Sequence, residues 1–94
     1  MLQERVEEYL GAIYRLRADP ETPVPLSELT GYFGFSPVSV HEMVQKLDDR
    51  GLLKYHPYRG ATLTEDGEAA ARALILRHRL WERFLTDVLH MDWE

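Results

Sequence analysis

A mainly helical fold with one small β-hairpin is predicted by three observations on this 94-residue chain. Apolar residues recur at helical spacing in four separate stretches, so each stretch can bury one face. The two middle stretches end at Gly34 and Gly51, glycines that let the chain leave a helix without steric cost. Between Leu52 and Leu63 the pattern changes to two short β-prone runs with a turn between them.

The first helix is read over residues 3–17, where Val6, Tyr9, Leu10, Ile13, Tyr14 and Leu16 share a face; Arg15 and Arg17 suit the negative end of its dipole. Ala18 to Pro25 holds three prolines, which remove amide donors and disfavour helix, so an extended connection is expected. A short second helix follows to Phe33, with Leu26, Leu29 and either Tyr32 or Phe33 inward. Ser36 can cap a third helix and Pro37 is preorganised for its first turn, with Val40, Met43, Val44 and Leu47 inward. Leu52–Tyr58 and Ala61–Leu63 are read as strands and Arg59-Gly60 as their turn. Thr64 caps a last helix reaching about His90, its first turn rich in acids (Glu65, Asp66, Glu68) as the dipole favours.

Two short helices joined by the tight Gly34-Phe35-Ser36 turn form a helix-turn-helix, and the hairpin after them makes it a winged one. The second of these helices is the element that enters a DNA major groove, so duplex DNA is the expected partner. Its outward residues are Ser36, Val38, Ser39, Glu42, Gln45 and Lys46. Ser36 and Ser39 suit phosphates or base edges, and Pro37 and Val38 offer apolar surface to a thymine methyl. Glu42 could accept from cytosine but otherwise opposes binding. Lys46, Arg50, Lys54 and Arg59 are the candidate phosphate contacts, Arg59 standing with Tyr58 and Gly60 at the wing tip.

Net charge is −5, which weighs against nucleic-acid binding unless it is unevenly spread. It is uneven. Residues 36–60 carry Lys46, Arg50, Lys54 and Arg59 against Glu42, Asp48 and Asp49, and are the one net-positive segment. The excess is small, so tight binding calls for a second subunit or a neutralising cation. The last helix bears Leu74, Leu80, Trp81, Phe84, Leu85, Val88 and Leu89, more apolar surface than a small winged helix can cover, and is expected to meet another helix or another subunit in a homodimer. Absence of cysteine excludes disulfides and thiolate ligands and fits a cytoplasmic protein, and no apolar run is long enough for a membrane span.

Several segments, taken together, resemble the diphtheria toxin repressor and manganese transport regulator family of metal-dependent transcriptional repressors. They are Glu7-Glu8-Tyr9-Leu10 with Ile13-Tyr14; Ser36-Pro37 with Ser39-Val40 and Met43-Val44-Gln45-Lys46-Leu47; Tyr58-Arg59-Gly60; Leu63-Thr64; and Arg77-His78-Arg79-Leu80 with Glu82 and Phe84-Leu85. The match runs in order over essentially the whole chain. It implies a dimeric repressor that senses Fe(II) or Mn(II) and silences metal-uptake genes, with residues 1–64 as the winged helix-turn-helix domain and 65–94 as the helix leading into the dimerisation region. Relatives continue into a further helical region with more ligands, so the chain is expected to be either a piece of a longer repressor or a natural short form with no metal of its own.

The resemblance also places metal ligands at Glu8, His78 and Glu82. His78 and Glu82 lie four residues apart on one helix face, and a carboxylate, imidazole, carboxylate set suits Mn(II) or Fe(II), the Glu8 oxygen leaning toward Mn(II). Gly11 stands where some manganese-type relatives carry another carboxylate, which argues against a two-metal site. Read without the resemblance, such a His/Glu pair is an ordinary surface hydrogen bond. The competing function is a winged-helix protein-interaction module that binds neither DNA nor metal. An enzyme is the weakest reading, since no nucleophile motif or phosphate loop accompanies these residues.

Overall fold

A computed structural model describes the backbone from Leu2 to Leu89 and the side chains of residues 5–78. Its elements are α1 (Leu2–Leu16), α2 (Leu26–Phe33), α3 (Pro37–Asp49), β1 (Leu53–His56), β2 (Gly60–Leu63) and α4 (Glu65–Leu89). This is the mainly helical winged helix expected, with β1 and β2 paired antiparallel, Leu53 opposite Leu63 and His56 opposite Gly60.

The core forms where the apolar stripes meet. Tyr9, Leu10 and Ile13 of α1, Leu29 of α2, and Val40, Val44 and Leu47 of α3 are buried together with Leu53, Ala61 and Ala71. Burial of one such aliphatic side chain stabilises the fold by about 1.5–3 kcal/mol. Between the two inward candidates on α2, Phe33 is the one that packs. Its ring stacks on Tyr9 at 4.6 Å and on Phe35 at 5.2 Å, while Tyr32 stays exposed. The Tyr9-Phe33-Phe35 row joins α1 to the helix-turn-helix.

Helix ends follow their sequence signals. Gly34 takes a left-handed φ of 73° and donates its N–H to the Thr30 carbonyl at 2.8 Å. At the end of α3, Leu52 N–H bonds to Leu47 O (3.0 Å) and Gly51 N–H to Asp48 O (2.9 Å), with Gly51 at φ 75°. That is a Schellman motif, in which glycine avoids the Cβ penalty of the left-handed region. Thr64 caps α4 by accepting from Gly67 N–H at 3.2 Å while its hydroxyl donates to Gly51 O at 2.6 Å.

Three sequence expectations need correction. The first helix ends at Leu16, so Arg17 lies just beyond it. The connection after it is not wholly extended: Asp19 Oδ1 accepts from the Glu21 and Thr22 amides, both at 2.9 Å, and turns the chain. Only then does Val24 extend, pairing with Ala61 by two hydrogen bonds of 2.9 and 3.0 Å and adding a one-residue third strand to the wing. That pairing explains the third correction. The hairpin turns at Pro57-Tyr58-Arg59, and Gly60 belongs to β2, because any Cβ at Gly60 would overlap the Val24 carbonyl.

Candidate DNA interface and metal pocket

α3 owes its fixed start to Ser36, whose Oγ accepts from Ser39 N–H at 3.2 Å and donates to Ser39 Oγ at 3.0 Å. An N-cap of this kind stabilises a helix by about 1 kcal/mol. Both expected serine contacts therefore also serve the cap, and both remain exposed. Pro37, Glu42, Gln45 and Lys46 are exposed too, and Val38 keeps 67% of its surface accessible. Leu26, Ser27 and Thr30 of α2 face Pro37, Val38, His41 and Glu42 across an open groove of about 670 Å³.

Two contacts fix the wing against α3. The Asp48 carboxylate accepts from Tyr55 N–H at 2.8 Å, which directs one of this segment's three acids inward onto the backbone. His41 meets the Tyr55 ring edge-on at 5.5 Å, and His56 Nε2 bonds Thr62 Oγ1 across the strands at 2.9 Å. These give both histidines local partners. Arg50 at the end of α3, Lys54 on β1 and Arg59 in the turn are exposed along with Lys46. Among the described residues none of these four cations pairs with a carboxylate.

The seam between α1 and α4 is the reverse case. Arg17 forms a two-pronged pair with Glu68, Nη1 to Oε2 at 2.8 Å and Nη2 to Oε1 at 2.6 Å, with side chains only 10% and 17% accessible. Its guanidinium also lies 4.4 Å from the centre of the Tyr14 ring, and Arg72 reaches Glu68 at 3.4 Å. The hydrogen bonds from Arg17 hold the Glu68 carboxyl below its ordinary pKa. Further along, Arg77 pairs with Glu7 at 2.7 Å. Between these two bridges Gly11 lets the helices close up, since a Cβ there would stand 3.0 Å from Leu74 Cδ2.

Glu8 and His78, each next in sequence to a member of the Glu7–Arg77 bridge, line one cavity of about 230 Å³ together with Gly11, Arg15 and Phe33. One carboxylate and one imidazole on a shared wall are donors that suit a first-row divalent ion. Glu82 lies one turn beyond His78 on the backbone of α4, but its side chain is outside the described residues, as are those of Leu80 and the apolar positions after it. Among the described residues no group of three potential ligands forms. Sequence reading missed both inter-helix bridges. Their signal was present only as separate charges far apart in the sequence, 51 residues for Arg17 and Glu68 and 70 for Glu7 and Arg77.

Comparison with known proteins extends these observations. Residues 1–61 match the family described as iron dependent repressor, N-terminal DNA binding domain, and residues 64–94 its metal binding and dimerisation domain. The HTH-type transcriptional regulator MntR of Lysinibacillus sphaericus is 41% identical over 80 residues, covering 85% of this chain and 57% of that protein. The iron-dependent repressor IdeR of Mycobacterium bovis is 36% identical over 93 residues, covering 99% of this chain and 40% of its own length. A manganese-dependent transcriptional repressor solved with manganese superposes with a TM-score of 0.78 at 32% identity, over 94% of this chain and 40% of that one. The chain thus spans about half the length of such relatives.

Proposed function

The chain belongs to the iron-dependent repressor family, and from that premise we propose that it is the DNA-binding portion of a cytoplasmic, Mn(II)- or Fe(II)-dependent repressor of metal-uptake genes. The observation that carries the reading is that Lys46, Arg50, Lys54 and Arg59, all exposed on α3 and the wing of an otherwise acidic chain, pair with no carboxylate among the described residues. Phosphate neutralisation supplies most of protein–DNA affinity, and these side chains are free to provide it. Ser36, Pro37, Val38, Ser39 and Glu42 then face the base edges, with Glu42 the one unfavourable charge. No helix among the described residues is long and apolar enough to cross a membrane. The chemistry is recognition, with no catalytic role assigned to any residue.

Glu8, His78 and Glu82 would hold the metal, which supplies a positive charge shared between α1 and α4. The protein's own part is to bring the donors together. The Glu7–Arg77 bridge sets a register in which Glu8 and His78 line one cavity, and Gly11 lets the two helices close up beside it. Coupling to DNA follows if the α1–α4 geometry fixes how two recognition helices are spaced across a homodimer formed through the distal half of α4. We assign residues 1–64 to DNA reading and 65–94 to the connection with the dimerisation region.

Manganese bound in a crystal gives an anomalous peak that locates it. Crystals of the full-length repressor grown with Mn(II) are expected to show one beside His78 and Glu8, and a peak elsewhere, or none, in that protein contradicts the assignment. A second reading, a protein-interaction module, is favoured by the open apolar groove between α2 and α3. Failure to bind any duplex at low salt is the result expected of that module.

A further inference from the structure

The wing turn carries a residue that its backbone does not favour. Arg59 N–H bonds to His56 O at 3.0 Å, which makes Pro57 and Tyr58 the central residues of a four-residue turn. Proline fixes a negative φ at the second position, and Tyr58 has φ 65° at the third. A negative and then a positive φ define a type II turn, whose third position is ordinarily glycine or asparagine. Tyr58 is the one non-glycine residue with positive φ among those described.

Its side chain gains nothing from the fold in return. Tyr58 is fully accessible, at 104% of its reference surface, so the ring packs on no neighbour. The turn beneath it is nevertheless held firmly. His56 pairs with Gly60, Gly60 lies against the Val24 carbonyl, and Ala61 exchanges both hydrogen bonds with Val24. A strained backbone presenting an unsupported aromatic from a braced turn is a pattern that stability does not explain and recognition does.

We propose that Tyr58 contacts DNA, laying its ring against the sugar-phosphate wall that flanks the site of α3. This rests on the DNA-binding reading given above. A tyrosine suits the role because it offers a large amphipathic surface with only two rotatable side-chain bonds to fix. Lys54 and Arg59 on the same hairpin, without a carboxylate partner among the described residues, bring it to the phosphates. The division of labour is chemical: Arg59 makes an ionic contact that releases counterions, and Tyr58 a non-ionic one that does not.

Fluorescence anisotropy in the presence of Mn(II), with a duplex selected by the chain from a random pool, at several salt concentrations, tests this alongside thermal melts. Tyr58→Gly is expected to weaken binding about tenfold at every salt concentration, with an unchanged slope of log K against log salt and a melting temperature no lower than the parent's. Tyr58→Phe should stay within about threefold of the parent, whereas Arg59→Ala should make the slope shallower by about 0.9. Unaltered affinity in Tyr58→Gly overturns the proposal while leaving DNA binding intact. So does a fall in melting temperature matching the loss of affinity, the mark of a structural residue. A parent chain that selects no duplex removes the DNA-binding reading itself, and the Tyr58 contact with it.

Discussion

The two faces of this molecule treat positive charge in opposite ways. Across the α1–α4 seam Arg17 and Arg77 are committed to carboxylates of the facing helix or its end, Arg72 adds a bridge within α4, and Arg17 is nearly buried. On α3 and the wing, Lys46, Arg50, Lys54 and Arg59 have no such partner among the described residues and stand in solvent. Paired charge fixes geometry; unpaired charge is available to a ligand. The contrast separates a part of the chain that sets inter-helix distance from a part whose charge is open to an external polyanion, although the net charge of −5 alone suggests neither.

Disrupting the seam has the largest expected effect. Arg17→Met keeps much of the packing over Tyr14 but leaves Glu68 with only Arg72, a cost of about 2 kcal/mol for a partly buried two-pronged pair. In a domain of this size the melting temperature should fall by roughly 8–16 °C, with the salt slope of DNA binding unchanged at temperatures where the fold persists. The more exposed Glu7–Arg77 bridge contributes under about 1 kcal/mol by comparison.

A smaller effect sharpens the same contrast through pH. Because Arg17 holds Glu68 below its ordinary value of 4.5, the carboxylate contributes stability above that pH and loses it as pH falls through the lowered value. Glu68→Gln should therefore be less stable than the parent at neutral pH. It should also lose less on acidification below about pH 4.5, and parallel melting curves down to low pH would sink this account.

Much of the proposed DNA face was legible in the sequence because its signals are local. Ser36-Pro37 announces the start of α3, Gly34 and Gly51 announce helix ends, and the apolar spacing of Val40, Val44 and Leu47 fixes which residues face outward. The seam was not legible in the same way. Arg17 and Glu68 each satisfy a helix-dipole preference of their own, and nothing local tells that they meet. The Val24–Ala61 bridge escaped for a similar reason, being one residue long within a proline-rich connection. With it went the position of the wing turn, since Gly60 reads as a turn glycine until Val24 is seen lying against it. Glu8 was linked to His78 by the family resemblance alone; helical spacing placed His78 and Glu82 together but said nothing of Glu8.

The central claim, that the four unpaired cations form a phosphate-binding face, is tested most directly by the salt dependence of DNA binding. The measurement compares the parent with a variant carrying Lys46→Ala, Arg50→Ala, Lys54→Ala and Arg59→Ala. Four phosphate contacts per chain predict a slope of log K against log salt of about −3.6 for the parent, nearly abolished in the variant. An equal slope in the two proteins, or a parent slope near zero, would contradict the account.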